Sequence, residues 1–152
     1  MINIVLFEPE IPQNTGNIAR TCACTGANLH LIKPFKFDIS DKALKRAGLD
    51  YWDKLKVFTY ENLSDFFDKT NGEYFFCETS GVKKYSDTKF KKDCYIFFGK
   101  ETTGLPLELL SDYVQNTIKI PMGSKIRSLN LSNCVAIVLY EALRQLNFDG
   151  LY

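Results

Sequence analysis

Tyr95-Ile-Phe-Phe98, running straight into Gly99-Lys-Glu-Thr-Thr-Gly-Leu-Pro106, is an apolar run without alternation that stops at a glycine. A strand apolar at every position has both faces covered, as in a parallel sheet between two helical layers. Working outward, runs of the same kind recur at residues 2–7, 29–32, 56–59, 74–77 and 117–120. Helical stretches lie among them. Residues 14–26 have Asn14 or Thr15 as cap, Ile18 and Cys22 on one face, and Gly26 as the stop. Residues 41–47 end at Gly48, and residues 63–67 have Asn62 or Ser64 to cap them. Strands alternating with helices predict an α/β fold, a mostly parallel sheet with helices on both faces.

The last element is the most periodic. Leu131, Cys134, Val135, Val138, Leu139, Ala142, Leu143 and Leu146 follow the i, i+3, i+4, i+7 spacing of an amphipathic helix. Ala136, Ile137 and Tyr140 widen the apolar surface beyond one stripe, more than a small sheet covers. A second copy of the chain is the simpler cover, so a homodimer is expected.

The 152 residues carry 19 Lys+Arg against 18 Asp+Glu, a net charge of +1 that excludes a polybasic coating protein. One domain spanning residues 1–152 is expected, large enough to bury a core without a metal or disulfide staple. The longest apolar run, residues 134–140, is far short of the roughly 20 residues that a membrane-spanning helix needs. Met1-Ile2-Asn3 lacks the basic start of a signal peptide. Five scattered cysteines, with no Cys-x-x-Cys pair and a single histidine, predict free thiols, no metal and a cytoplasmic location.

On open parallel sheets, ligands sit in crevices beyond the carboxyl ends of the strands. Attention therefore falls on the loops after Phe7, Cys77, Phe98 and Ile120. The first, Glu8-Pro-Glu-Ile-Pro-Gln-Asn-Thr-Gly-Asn-Ile-Ala-Arg20, has two stiffening prolines, and the amides of the helix it opens are able to receive an anion. Arg20 sits where a guanidinium reaches a phosphate or ribose. The plainer alternative is that Asn14 and Asn17 cap the helix and Arg20 is a solvated charge. The loop after Phe98 has two glycines that let backbone approach a flat ligand, or it is a turn into a short helix begun at Pro106. The loop after Ile120, Pro121-Met-Gly-Ser-Lys-Ile-Arg-Ser-Leu-Asn-Leu-Ser-Asn133, is basic, with no acid before Glu141.

Other chemistries fall away. There is no Gly-x-Gly, hence no Rossmann dinucleotide fingerprint, and no Walker A run. Ser80-Gly-Val-Lys83 lacks the companion motifs of a Ser-x-x-Lys site. His30 lies inside a strand, as a core or edge residue rather than a general base.

Taken together and in this order, the loops resemble the three signature motifs of the SPOUT RNA methyltransferases. The carrying segments are residues 3–20, Arg46-Ala-Gly-Leu-Asp-Tyr51, Phe98-Gly-Lys-Glu-Thr-Thr-Gly-Leu-Pro106, Ile120-Pro-Met, Arg127-Ser-Leu-Asn-Leu-Ser-Asn133 and Tyr140-Glu-Ala142. The chain is most similar to the small members that methylate a tRNA wobble ribose. The resemblance implies a C-terminal trefoil knot, an obligate homodimer, and S-adenosylmethionine as donor with S-adenosylhomocysteine as product. It implies donor contacts at Glu78, Thr79, Gly99, Glu101, Gly104, Ile120, Met122, Ser128 and Leu129. It implies catalytic roles for Arg20, Asn14 and Asn133, with Glu101 placed to orient Arg20, and substrate contacts at Asn17, Lys125 and Arg127. The implied substrate is the ribose of the wobble nucleotide, cytidine or carboxymethylaminomethyl-uridine, in the tRNA anticodon stem-loop. Arg20 matches the motif arginine; because guanidinium keeps its proton, it is expected to position phosphate and ribose and to stabilise a developing alkoxide rather than act as a base.

Lys83, Lys84, Lys89, Lys91 and Lys92 outnumber Asp87 and Asp93, either as a phosphate-binding patch or as an ordinary solvated face. Tyr85 and Phe90 are available to stack on a base or to pack in the core. Two alternatives to the wobble enzyme stand beside it: a non-catalytic RNA- or cofactor-binding module, and a sibling methyltransferase acting on rRNA or another tRNA position.

Overall fold

The apolar runs pair side by side. The computed structural model describes residues 1–38, 51 and 54–152. Its strands are β1 (Asn3–Phe7), β2 (Asn28–Ile32), β3 (Val57–Tyr60), β4 (Tyr74–Cys77), β5 (Lys83–Lys84), β6 (Tyr95–Phe98) and β7 (Thr117–Lys119). The helices are α1 (Pro12–Thr25), α2 (Leu63–Lys69), α3 (Leu107–Asp112) and α4 (Leu131–Gln145). The seven strands form one sheet in the order β3-β2-β1-β6-β4-β7-β5, and every pairing among the described residues is parallel.

Register then sorts the core into two layers, because alternate side chains leave opposite faces of a strand. Ile4 lies beside Leu29 and Ile96, and Leu6 beside Leu31 and Phe98. With Ile18, Ala19 and Cys22 of α1 and Val135, Val138, Leu139 and Ala142 of α4, they make an aliphatic layer. Val5 and Phe97 point the other way, to Phe66 of α2, Phe76, and Leu109 and Leu110 of α3. In that layer the Phe66 ring stands edge-on to Phe97 at 5.0 Å. Burying each of these side chains is worth about 1.5–3 kcal/mol, so a sheet covered on both faces is the stable arrangement.

Element ends differ from the sequence reading in instructive ways. The first helix begins at Pro12, where a missing N–H costs nothing, so Asn14 and Thr15 lie inside its first turn and do not cap it. Gly26 does end it, with φ of 71°. Asn62 caps α2, its Oδ1 accepting from the Asp65 N–H at 2.9 Å. The strand expected at 56–59 runs one residue later. The two-residue β5, with no apolar pattern, was invisible in the sequence. The helix expected at 41–47 lies outside the described residues.

Three polar side chains thread the aromatic layer. Buried His30 meets the Tyr60 hydroxyl through Nδ1 at 2.9 Å and Asn3 Oδ1 through Nε2 at 3.2 Å. Burial lowers its pKa to about 4, so the ring is neutral. This is a satisfied core histidine, as its place in a strand implies. Phe90, buried and packed on Phe75, is likewise core rather than a stacking platform. All five cysteines are free; burial holds Cys22 and Cys94 at about 12, far from a reactive thiolate.

The chain order places the site. β6 enters between β1 and β4, and β7 between β4 and β5. The loops leaving β1, β4, β6 and β7 therefore gather at one end of adjacent strands.

Candidate functional site

A cavity of about 530 Å³ opens at the carboxyl ends of the central strands. Three chain segments line it: Cys77 at the end of β4 with Glu78 and Thr79 after it; Gly99 to Gly104 after β6; and Ile120, Met122 and Arg127 to Leu131 after β7. Ile11, just before α1, and Asn14 in its first turn add a wall, and Cys134 adds one from α4. The volume lies within the usual range for small-molecule pockets.

The glycines decide the shape of the β6 loop. Gly104 has φ of 70°, a left-handed conformation that favours glycine, and a side chain there would collide with the Glu78 carboxylate. A side chain on Gly99 would strike the backbone of Gly104 and Leu105. Lys100 and Gly104 exchange backbone hydrogen bonds at 3.2 and 2.9 Å, closing a tight loop. Glu78 secures it from beneath, with Oε2 accepting from the Leu105 N–H at 3.0 Å.

Glu101 reaches from this loop to α1. Its carboxylate accepts from the Glu10 and Ile11 N–H groups at 2.9 and 3.0 Å and from Asn14 Nδ2 at 3.1 Å. It therefore occupies the helix-start position that the sequence assigned to an anionic ligand. α1 has no side-chain cap of its own, so Glu101 supplies from a distant loop what a capping residue supplies locally. Asn14 Oδ1 in turn accepts from Asn130 Nδ2 at 2.9 Å, and Asn130 Oδ1 caps α4 by accepting from the Ser132 N–H at 2.9 Å.

A second set of contacts runs in the opposite sense. The Glu10 carboxylate accepts from the Thr102 N–H at 3.0 Å and from its hydroxyl at 2.8 Å, which hold that carboxyl below its usual range. Lys100 pairs with Glu8. Arg127 donates to the Thr102 carbonyl at 3.2 Å. Sequence reading missed Glu8, Glu10, Lys100, Thr102 and Asn130. Only Asn130 carried a signal, an Asn standing directly before an apolar helical stripe.

Of the residues singled out from sequence, the fold brings Asn14, Glu78, Thr79, Gly99, Glu101, Gly104, Ile120, Met122, Arg127, Ser128 and Leu129 to the cavity. Asn17, Arg20, Lys125 and Asn133 are exposed and do not line it. Arg20 lies on the outer side of α1 with its guanidinium 5.1 Å from the centre of the Tyr51 ring, and the Tyr51 hydroxyl donates to the Gly16 carbonyl at 3.0 Å. Glu101, committed to α1, does not orient Arg20 in this arrangement; Tyr51 does. Among the described residues no cluster of His, Cys, Asp and Glu is arranged to hold a metal.

A parallel α/β sheet with a glycine-looped cavity at its carboxyl ends is the arrangement in which such folds take small-molecule ligands. Residues 1–140 match the SpoU rRNA Methylase family, and the chain belongs to that family. A protein of Listeria monocytogenes, provisionally named a tRNA (cytidine(34)-2′-O)-methyltransferase, is 54% identical over 98% of this chain and 90% of its own length. A solved structure concerned with the 2-OH methylation of C/U34 on tRNA superposes with a TM-score of 0.89 at 42% identity, covering 97% of both chains. The AdoMet-bound rRNA methyltransferase of Sinorhizobium meliloti is similar at 25% identity with a TM-score of 0.83, over 95% of this chain and 56% of that one.

Proposed function

We propose that this chain transfers a methyl group from S-adenosylmethionine to the ribose 2′-oxygen of the nucleotide at tRNA position 34, cytidine or uridine. The observation that carries the reading is the convergence of three separate loops on one cavity, in a chain whose relatives are named for that reaction.

The cavity suits the donor. Ile120, Met122 and Leu129 provide apolar wall, the Gly99–Gly104 turn exposes backbone for a flat base, and Glu78, Thr79 and Asn14 provide polar partners. When bound, S-adenosylmethionine supplies an electrophilic methyl on a sulfonium. The residues around it have to align a ribose oxygen with that methyl, and alignment supplies much of the rate. The network from Glu101 through Asn14 to Asn130 fixes the starts of α1 and α4 relative to the donor loop. Arg20 is exposed on α1, outside the cavity of its own chain. Kept protonated, it takes a phosphate of the RNA, and it steadies negative charge growing on the ribose oxygen where the homodimer proposed below brings α1 to the reacting sugar. Asn17 and Asn133 face the RNA in this reading, and their exposure supports it.

The active unit is a homodimer. In support, Ile137 and Tyr140 lie exposed on α4, one helical turn apart, beside α1. The knotted C-terminal path rests on the late entry of β6 and β7 between strands already placed and on family membership. The substrate element is the anticodon stem-loop, and the five free thiols suit the reducing cytoplasm.

Incubation with labelled donor and unmodified tRNA, followed by nucleoside mapping, should place the label on the position-34 ribose. Arg20→Ala should lower the rate by about a hundredfold or more, with donor affinity unchanged. Donor and tRNA binding by wild type without any methyl transfer would overturn the reading.

A further inference from the structure

The lysine-rich segment does not form one patch. Lys91 pairs with Glu73 at 3.7 Å and Lys92 with Asp149 at 2.7 Å, so two of its five cations already have carboxylate partners. Lys83 and Lys84 follow a different path. They form β5, the outer strand of the sheet on the β7 side, and both are exposed. Pairing of β5 with β7 sets Lys84 directly beside Lys119, a residue 35 positions further along the chain.

Register partners on neighbouring strands lie about 4.8 Å apart in backbone and share a face, so the two lysine side chains leave the same face of the sheet side by side. Like charges directly opposite in a sheet are destabilising. Neither lysine has an ion pair among the described residues. The carboxylate that follows on the β5 side, Asp87, takes its hydrogen bond from the Ser86 hydroxyl at 3.4 Å, and Glu78 is turned inward to Leu105. Two cations on one face of an edge strand, neither with a carboxylate partner among the described residues, suit a bridging anion.

The position of the pair says which anion. Lys119 precedes Ile120, which lines the donor cavity, and β5 leaves the same cavity through Glu78 and Thr79. Lys84 and Lys119 therefore stand at the carboxyl end of the sheet, on the side of the cavity away from α1 and Arg20. We infer that Lys84 and Lys119 together clasp a backbone phosphate of the RNA substrate, holding the strand on the β5 side of the site. This rests on the RNA substrate proposed above and adds the surface that grips it.

The test is tRNA affinity measured across a salt series with the full-length protein, comparing wild type, Lys84→Gln/Lys119→Gln and the charge-matched control Lys91→Gln/Lys92→Gln. Donor affinity is measured for each as a check on folding. The first double variant should bind tRNA roughly tenfold more weakly at low salt, with the slope of log affinity against log salt reduced by about 0.7, the loss of one neutralised phosphate on single-stranded RNA. The control should keep the wild-type slope, and donor affinity should be the same in all three. An unchanged slope in Lys84→Gln/Lys119→Gln overturns the inference, as does an equal loss in the control, which would show diffuse charge rather than a clasp. Wild type that binds tRNA with this lysine dependence but methylates nothing would sink the proposed reaction and leave the clasp standing.

Discussion

Two polar networks tie together remote parts of this chain, and they are built for different ends. One joins Asn3, Asn28, His30 and Tyr60 within the aromatic layer. The other joins Glu101, Asn14 and Asn130 at the rim of the cavity. His30 is 3% exposed and both ring nitrogens are engaged, so the imidazole's hydrogen-bonding capacity is spent inside the fold. The second is only partly buried, and its members also line the cavity. Buried groups must satisfy one another or cost stability; groups at a rim hold backbone in place and still meet a ligand.

The sharpest way to break the comparison is Gly99→Ala. A methyl group there drives the backbone of Gly104 and Leu105 away from β6, and we expect a stability loss of about 3 kcal/mol with donor binding abolished. The resonance of the single histidine should nevertheless keep its folded position in NMR spectra below the unfolding midpoint, because its network lies elsewhere.

Acid tests the other network. Folded His30 titrates at about 4, below the value of 6.5 expected when unfolded. The unfolded chain therefore takes up the proton first as pH falls. Stability from this source is fully present above about pH 6.5 and is lost progressively down to about pH 4, about 3 kcal/mol in all. Urea midpoints measured across that window should show the loss, and His30→Gln should flatten it while leaving methylation at neutral pH near wild type.

Glu101→Gln should act in the opposite way. The amide still accepts at one oxygen but turns N–H groups toward the donors of Glu10, Ile11 and Asn14, costing about 1–2 kcal/mol. Methylation should fall by more than the stability change implies, read as a lower kcat with tRNA affinity kept. Asn130→Ala is the mildest change. Loss of the α4 cap should cost about 1 kcal/mol, visible as a lower thermal midpoint, with a small rise in KM for the donor.

Much of the site was legible because its segments carry local signatures. Gly99 and Gly104 mark a turn that tolerates no side chain, and the apolar stripe from Leu131 announces a helix whose start must be capped. Arg20 was legible as a residue but not in its surroundings. The ring beneath it belongs to Tyr51, 31 positions away, and no spacing rule joins them. Glu101 was expected to partner Arg20 only because the family resemblance implied it. Unfilled N–H groups at the start of α1 take it instead, since backbone donors at an uncapped helix end need an acceptor.

The sequence by itself determined the alternation of strands and helices, the parallel sheet with two covered faces and the free thiols, all of which depend on neighbours within a few residues. The tertiary structure alone decided the order of the strands, the pairing of β5 with β7 that sets Lys84 beside Lys119, and the exchange of carboxylates between the first and third of the site's loops. Those contacts join residues 35 to about 90 positions apart, and their geometry comes from how the layers stack, which no local pattern encodes.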